Sequence, residues 1–212
     1  MGPEYVARLA RAVKRNLSAP HQFICFADDP SRVPPGVEAR QLSPPSWSGC
    51  LPKLFAYSPE AGIHGRTLVL DLDNVVVGPL DGFTSYAGPL AVRAWFRGWP
   101  RQKVADGDMI SFEAGSPMAD RLWERISADP GAVEAETGGR ERYYLRSVAD
   151  PDLWQDVLGP EAVLSYKNHL RNARALPEGA RIVSFHDGGK RVGTMRPHQL
   201  LDKVPWLSDH WK

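Results

Sequence analysis

The amino-acid sequence predicts an α/β domain built around a mixed sheet. Short apolar runs of strand character alternate with segments of helical periodicity, and an amphipathic helix precedes the first strand. The turns between them fall at Gly, Pro and Asp, residues that supply turn geometry. A chain of 212 residues is long enough to bury a substantial core in one domain, with no internal repeat or long low-complexity linker to divide it.

The first element is helical: Tyr5, Val6, Leu9, Ala10, Val13 and Leu17 share one face, with Arg8, Arg11, Lys14 and Arg15 between them. Phe23-Ile24-Cys25-Phe26 reads as a buried strand ending in the acidic turn Asp28-Asp29-Pro30, and Val37 to Leu42 as a second strand. Pro44-Pro45-Ser46 opens a loop that runs past Trp47 and Gly49 to Lys53-Leu54-Phe55. The next strand is Leu68-Val69-Leu70-Asp71-Leu72-Asp73, where a side-chain period of two sets both carboxylates on one side. Val75-Val76-Val77 continues the apolar run as far as Gly78-Pro79.

Leu90-Ala91-Val92 and Met109-Ile110-Ser111-Phe112 are further strands, joined by a loop holding Trp95, Trp99, Pro100 and Asp106-Gly107-Asp108. Helical spacing returns at Met118, Leu122, Trp123 and Ile126, and again from Tyr143 to Val148, with the polar stretch from Asp129 to Gly139 as a surface loop. Val163 to Tyr166 and Arg181 to Phe185 are the closing strands. The last of these delivers His186 into Asp187-Gly188-Gly189-Lys190.

Composition narrows the function classes. With 26 basic and 25 acidic side chains the formal net charge is +1, which gives no general attraction to nucleic acid or an anionic membrane. No apolar stretch reaches the roughly 20 residues that span a bilayer, and the N-terminus carries no signal-peptide core. Cys25 and Cys50 lack metal-motif spacing and read as buried free thiols of a reducing compartment, so a cytoplasmic location is expected.

Two side-chain groups carry chemistry. Asp71 and Asp73, at the end of an apolar strand, repel one another, and a divalent cation would offset that repulsion. One acid capping a turn while the other lies in solvent is the plainer alternative. His186 also follows an apolar strand, and the glycines behind it let backbone N–H groups approach a phosphate that Lys190 could hold as well. Two Asp and one His make a three-ligand set for Mn²⁺ or Mg²⁺.

The order and spacing of several short motifs resemble a known family across nearly the whole chain. They are Tyr5-Val6 with Arg8-Leu9, Lys14-Arg15-Asn16-Leu17, Phe23 through Asp28-Asp29, Trp47 with Lys53-Leu54, Leu70-Asp71-Leu72-Asp73 and Arg181-Ile182-Val183 with Phe185-His186. Leu164-Ser165-Tyr166-Lys167, Trp206 and His210-Trp211 extend the likeness. Together they are similar to bacterial glycosyltransferases of the GT-A fold related to the glycogenin-like group. The resemblance implies a single GT-A domain over residues 1–212, a nucleotide-sugar donor, most readily a UDP-sugar, and a glycan, lipid or small-molecule acceptor. It implies Asp71, Asp73 and His186 as metal ligands, with Asp28, Lys53, Asp71, Gly188 and Lys190 around the nucleotide and its phosphates.

Three departures from the family pattern shape the expectations. Relatives begin with an extra strand and a Trp-Gly turn, whereas this chain opens at Met1-Gly2-Pro3-Glu4-Tyr5, as if that first strand were lacking: either the true start lies upstream, or a partner or another segment fills the gap, or donor binding is impaired. Asp106-Gly107-Asp108 stands where relatives carry Asn-Ser-Ser or Asn-Ser-Gly; Asp106 and Asp108 are catalytic candidates that bind sugar hydroxyls, or else solvated loop acids. Gly139-Arg140-Glu141 replaces a Gly-Asp-Gln motif, and Glu141 is a third such candidate or an ordinary helix-start acid. Trp95, Trp99, Tyr143 and Tyr166 read as packing residues, with stacking platforms for an acceptor sugar as the alternative.

Two other functions compete. Leu-Asp-Leu-Asp-Asn also resembles the nucleophile motif of haloacid-dehalogenase-like phosphatases, although that strand comes first in their core and His186 would have no role there. A GT-A remnant that binds a nucleotide or partner without turnover is the third reading.

Overall fold

The computed structural model describes residues 1–43, 47–186 and 195–212. Helix α1 (Pro3–Asn16) starts with a proline in its first turn beside Glu4 and ends in Lys14 and Arg15, matching the polarity of the helix dipole. Its apolar face is buried. Its polar face holds the last residues of the chain: Arg8 donates to the Trp211 carbonyl at 2.6 Å, Arg11 to Lys212 at 3.1 Å and Arg15 to His210 at 3.0 Å.

Strands β1 (Ile24–Ala27) and β2 (Glu38–Gln41) pair in parallel, Ile24 opposite Glu38 and Ala27 opposite Gln41. All four residues of β1 are only half-buried, so the buried strand expected there is instead part of a two-stranded sheet, outside the larger ones. Strand β3 (Gly65–Val69) leads to β4 (Asn74–Val76), and α2 (Asp81–Thr84) to β5 (Leu90–Ala94) and the long β6 (Ala105–Ala114). Helices α3 (Pro117–Ala128), α4 (Pro130–Thr137) and α5 (Glu141–Val148) follow. Then come β7 (Asp152–Leu153), α6 (Trp154–Val157), β8 (Val163–Ser165), β9 (Ile182–Ser184) and α7 (Pro205–His210).

The two larger sheets are both mixed. In one, β6 lies between β3 and β5, antiparallel to each, and β7 runs parallel on the outer side of β5. In the other, β9 is antiparallel to β4 and parallel to β8. The expected mixed α/β architecture is thus present, and among the described residues it is divided among open ladders with no closed barrel.

Side-chain alternation sends β5 and β6 into two cores. Leu90, Val92, Ile110 and Phe112 join Leu54, Phe55, Leu122 and Tyr144 on one face. Ala91 and Met109 join Leu9, Val76, Phe83 and Trp154 on the other. A third cluster ties Tyr5 to Val183, Trp206 and Trp211. No helix among the described residues is long and apolar enough to cross a membrane.

Three local expectations are corrected. Residues 129–139 hold a helix where a surface loop was expected: Asp129 accepts from the Ala132 N–H at 2.9 Å as N-cap, Pro130 opens the first turn and Gly138 ends it at φ 59°. Asp106-Gly107-Asp108 lies inside β6 and not in a loop, because Arg93 on β5 neutralises both acids. Cys50 is exposed and Cys25 half-buried, and both are free thiols, so burial is not what they share. Pro44-Pro45-Ser46 and Asp187-Gly188-Gly189-Lys190 lie outside the described residues.

Candidate functional site

The Asp pair does not sit in a strand. β3 stops at Val69 and β4 begins at Asn74, and the Asn74 N–H donates to the Asp71 carbonyl at 3.0 Å, closing a four-residue turn. Two carboxylates this close are better tolerated at a turn than in a ladder packed on both faces, and Asp favours turns through its short polar side chain. The turn carries the chain from the four-stranded sheet into the three-stranded one. Asp71 and Asp73 therefore stand where the two mixed sheets meet.

Lys53 reaches this turn from a 3₁₀ helix, Leu51–Tyr57, that anchors itself in the core through Leu51, Leu54 and Phe55. Its ammonium lies 2.7 Å from Asp71 Oδ1, 3.0 Å from Glu141 Oε1 and 3.2 Å from the Gly107 carbonyl. Three N–H donors meet three protein acceptors. Glu141 starts α5 and is buried against β6, where a Cβ on Gly107 would fall 2.3 Å from its Cγ. Only glycine at 107 admits that approach.

Asp108 is the most enclosed carboxylate. It accepts from Asn74 Nδ2 at 3.0 Å, Arg93 Nε at 3.2 Å and Ser184 Oγ at 2.9 Å. Arg93 also pairs with Asp106 at 3.0 Å, and Arg142 reaches the other Asp106 oxygen at 3.5 Å. An irregular register makes this possible, since Ser111 lies opposite Ala91 but Asp106 opposite Arg93, leaving extra residues on β6. Met109 within that bulge takes a left-handed φ of 57°, and its carbonyl accepts from the Trp154 indole N–H at 2.7 Å.

Four carboxylates, Asp71, Asp106, Asp108 and Glu141, thus share three directly paired cations, Lys53, Arg93 and Arg142, and Asp73 stands beside them as a fifth. Burial, with Asp71 and Asp108 beside it, pushes Asp73 up to about 7. Asp71 is raised to about 6 by burial, against the pull of Lys53. Burial alone would raise Asp108 too, yet Arg93, Lys53 and its hydrogen bonds hold it below the usual carboxylate range. Lys53 keeps its proton more firmly than a free lysine, because Asp71 and Glu141 outweigh its desolvation. Among the described residues Asp73 has no ion pair, and Asn74 Oδ1 is buried without a hydrogen-bond partner.

His186 arrives at the same place from β9. The register sets Ser184 opposite Asn74, and the Phe185 N–H donates to the Asp73 carbonyl at 3.1 Å. His186 Nε2 lies 2.7 Å from Ser165 Oγ, and its ring stacks on Phe96 at 5.4 Å between centroids. Phe96 in turn lies under the Arg93 guanidinium, 4.1 Å away.

The structure therefore gathers Lys53, Asp71, Asp73, Asp106, Asp108 and Glu141 in one charged network and brings the backbone of Phe185, the residue before His186, beside Asp73. Among the described residues, however, no group of three or more His, Cys, Asp or Glu side chains that could hold a metal ion is drawn together. Asp71 is turned to Lys53 and His186 to Ser165. Asp28 is exposed after β1; its carbonyl accepts from Gln41 Nε2 at 3.0 Å, and among the described residues it has no hydrogen bond or ion pair to the network. Gly188 and Lys190 lie outside the described residues.

Sequence reasoning missed Arg93, Asn74, Ser165 and Ser184. Arg93 left a signal: a lone charge in the buried run Leu90-Ala91-Val92-Arg93-Ala94 requires a buried partner. Comparison with protein-family models and with curated proteins finds no match to this chain.

Proposed function

We propose that the chain is a metal-dependent glycosyltransferase of the GT-A type, moving a sugar from a nucleoside-diphosphate donor, uridine first, to an acceptor. One observation carries the reading: two carboxylates with raised pKa values flank a turn next to the orphaned, buried Asn74 Oδ1. Such a set of hard oxygen donors with surplus negative charge suits Mn²⁺ or Mg²⁺. Asp71 and Asp73 would hold the ion, joined by His186. The Ser165 hydroxyl, 2.7 Å from His186 Nε2, would fix the orientation of that ring.

The bound ion supplies electrostatic stabilisation of negative charge on the departing diphosphate. Lys53 is the internal counter-charge that holds Asp71 and Glu141 in place, and its ammonium would also suit a phosphate oxygen of the donor. Arg93 keeps Asp106 and Asp108 oriented, and Asp108, spent on three donors, acts as a positioning residue and not as a sugar contact. Glu141, with one oxygen on Lys53, is the acid best placed to meet a sugar hydroxyl.

We favour this over the phosphatase reading because β1 and β2 precede the Asp turn and β3 pairs antiparallel with β6, whereas a phosphatase nucleophile strand comes first. The test is calorimetric titration of uridine and guanosine diphosphates with and without Mn²⁺. Binding that requires the metal and disappears in Asp73→Ala is expected. If no nucleoside diphosphate binds in a metal-dependent way, the proposal fails; binding without sugar transfer would mark a remnant.

A further inference from the structure

Phe96 is also a wall of a cavity of 380 Å³ that the charged network does not use. Trp99, Pro160, Val163 and Leu164 continue the wall, so most of the surface is flat or branched hydrocarbon. Trp99 donates from its Nε1 to Asp156 Oδ1 at 3.2 Å, which restrains the orientation of the indole.

Three polar side chains interrupt the apolar lining: Gln155, Glu161 and His169. The Gln155 Oε1 is already taken by the Ala94 N–H at 2.8 Å, so its NH₂ is the end left to donate. His169 Nδ1 accepts from the Ser165 N–H at 3.0 Å, which fixes a neutral ring with its hydrogen on Nε2. Two donors and one carboxylate acceptor thus border an apolar slot. No Lys or Arg is among the lining residues, so a phosphate or nucleotide entering here would meet Glu161 with no compensating cation.

We propose that this cavity binds a neutral pyranoside. A pyranose pairs an apolar C–H face with a rim of hydroxyls that both donate and accept, matching rigid aromatic and proline walls and this polar set. Resting on the transferase reading, that sugar is the acceptor: the cavity shares the Phe96 ring with His186, whose chain neighbour Phe185 donates its N–H to the Asp73 carbonyl.

The test uses the full chain labelled with ¹⁵N-tryptophan, the Trp99 indole N–H signal being assigned with Trp99→Phe, and methyl glucosides and galactosides as probes. A saturable shift of the Trp99 signal is expected, with affinity weakened roughly tenfold in Glu161→Ala by loss of one hydrogen bond to a charged group. An unmoved Trp99 signal, unchanged affinity in Glu161→Ala, or a shift caused by phenol but not by glycosides would overturn the proposal. Titration of uridine diphosphate and Mn²⁺ on the same sample separates the two claims. Glycoside binding without nucleotide binding leaves the cavity assignment standing and removes the transferase; nucleotide binding without glycoside binding does the reverse.

Discussion

The Lys53 ammonium lies 2.7 Å from the Asp71 carboxylate, across the junction of two sheets and 18 positions apart in the chain. This pair decides how the acidic site survives without a bound cation. With Glu141 as the second acid, Lys53 neutralises part of a cluster whose carboxylates would otherwise repel.

Replacing Lys53 with Ala leaves Asp71 and the buried Glu141 without their cation. We expect a loss of roughly 2–4 kcal/mol in urea unfolding, at the lower end because Asp71 keeps some solvent. Adding Mn²⁺ should recover part of that loss, since the ion then has no ammonium to displace. Parent-like stability in metal-free buffer would show that the pair carries no load.

Stability should also report the two raised carboxylates. A raised folded-state pKa means that the native protein holds its proton more tightly than the unfolded chain. That contribution is complete below about pH 4, the ordinary Asp value. It is lost as the pH climbs through about 6 for Asp71 and about 7 for Asp73. Asp108 works in the opposite sense, its lowered pKa favouring the fold above about pH 4 and losing that contribution on acidification. Asp73→Asn should therefore stabilise the metal-free protein by roughly 1–3 kcal/mol near pH 8 and leave it unchanged near pH 4. Thermal melts at the two pH values check this directly.

Gly107→Ala places a methyl group against Glu141. We expect a cost of about 1–3 kcal/mol from overpacking, together with loss of the Lys53–Glu141 pair. Combining it with Glu141→Ala should cost less than the sum of the two single changes, and a double-mutant cycle by chemical denaturation reads that difference.

Arg93→Met removes the shared cation of Asp106 and Asp108, at an expected cost of roughly 3–5 kcal/mol, because both acids stay buried. Asp106→Asn with Asp108→Asn in the same chain should restore much of it. A fully stable single variant would contradict the network.

Most strands and α1 were legible because their apolar spacing reports burial directly, as in Leu9, Val13 and Ile182-Val183. Helix α4 was not, since only Val133 and Thr137 turn inward, and its evidence lies in caps, Asp129 and Gly138, that also suit a loop. Asp129→Ala should accordingly cost about 1 kcal/mol, measured by thermal unfolding. The Asp pair was visible in the sequence, but its turn was not, because apolar letters stand on both sides of it, Leu68 to Leu70 and Val75 to Val77, as in one continuous strand, whereas they belong to two different sheets. Asp106 and Asp108 looked solvated for a related reason: the charge that lets them enter β6 belongs to another strand.

The position of the Asp turn has a mechanical consequence. Val69 closes one ladder and Asn74 opens the other, so a ligand gripping Asp71 and Asp73 would act as a rivet through both sheets. Slower amide exchange should then spread to Val69 on one side and Val75 on the other, well beyond the residues it touches.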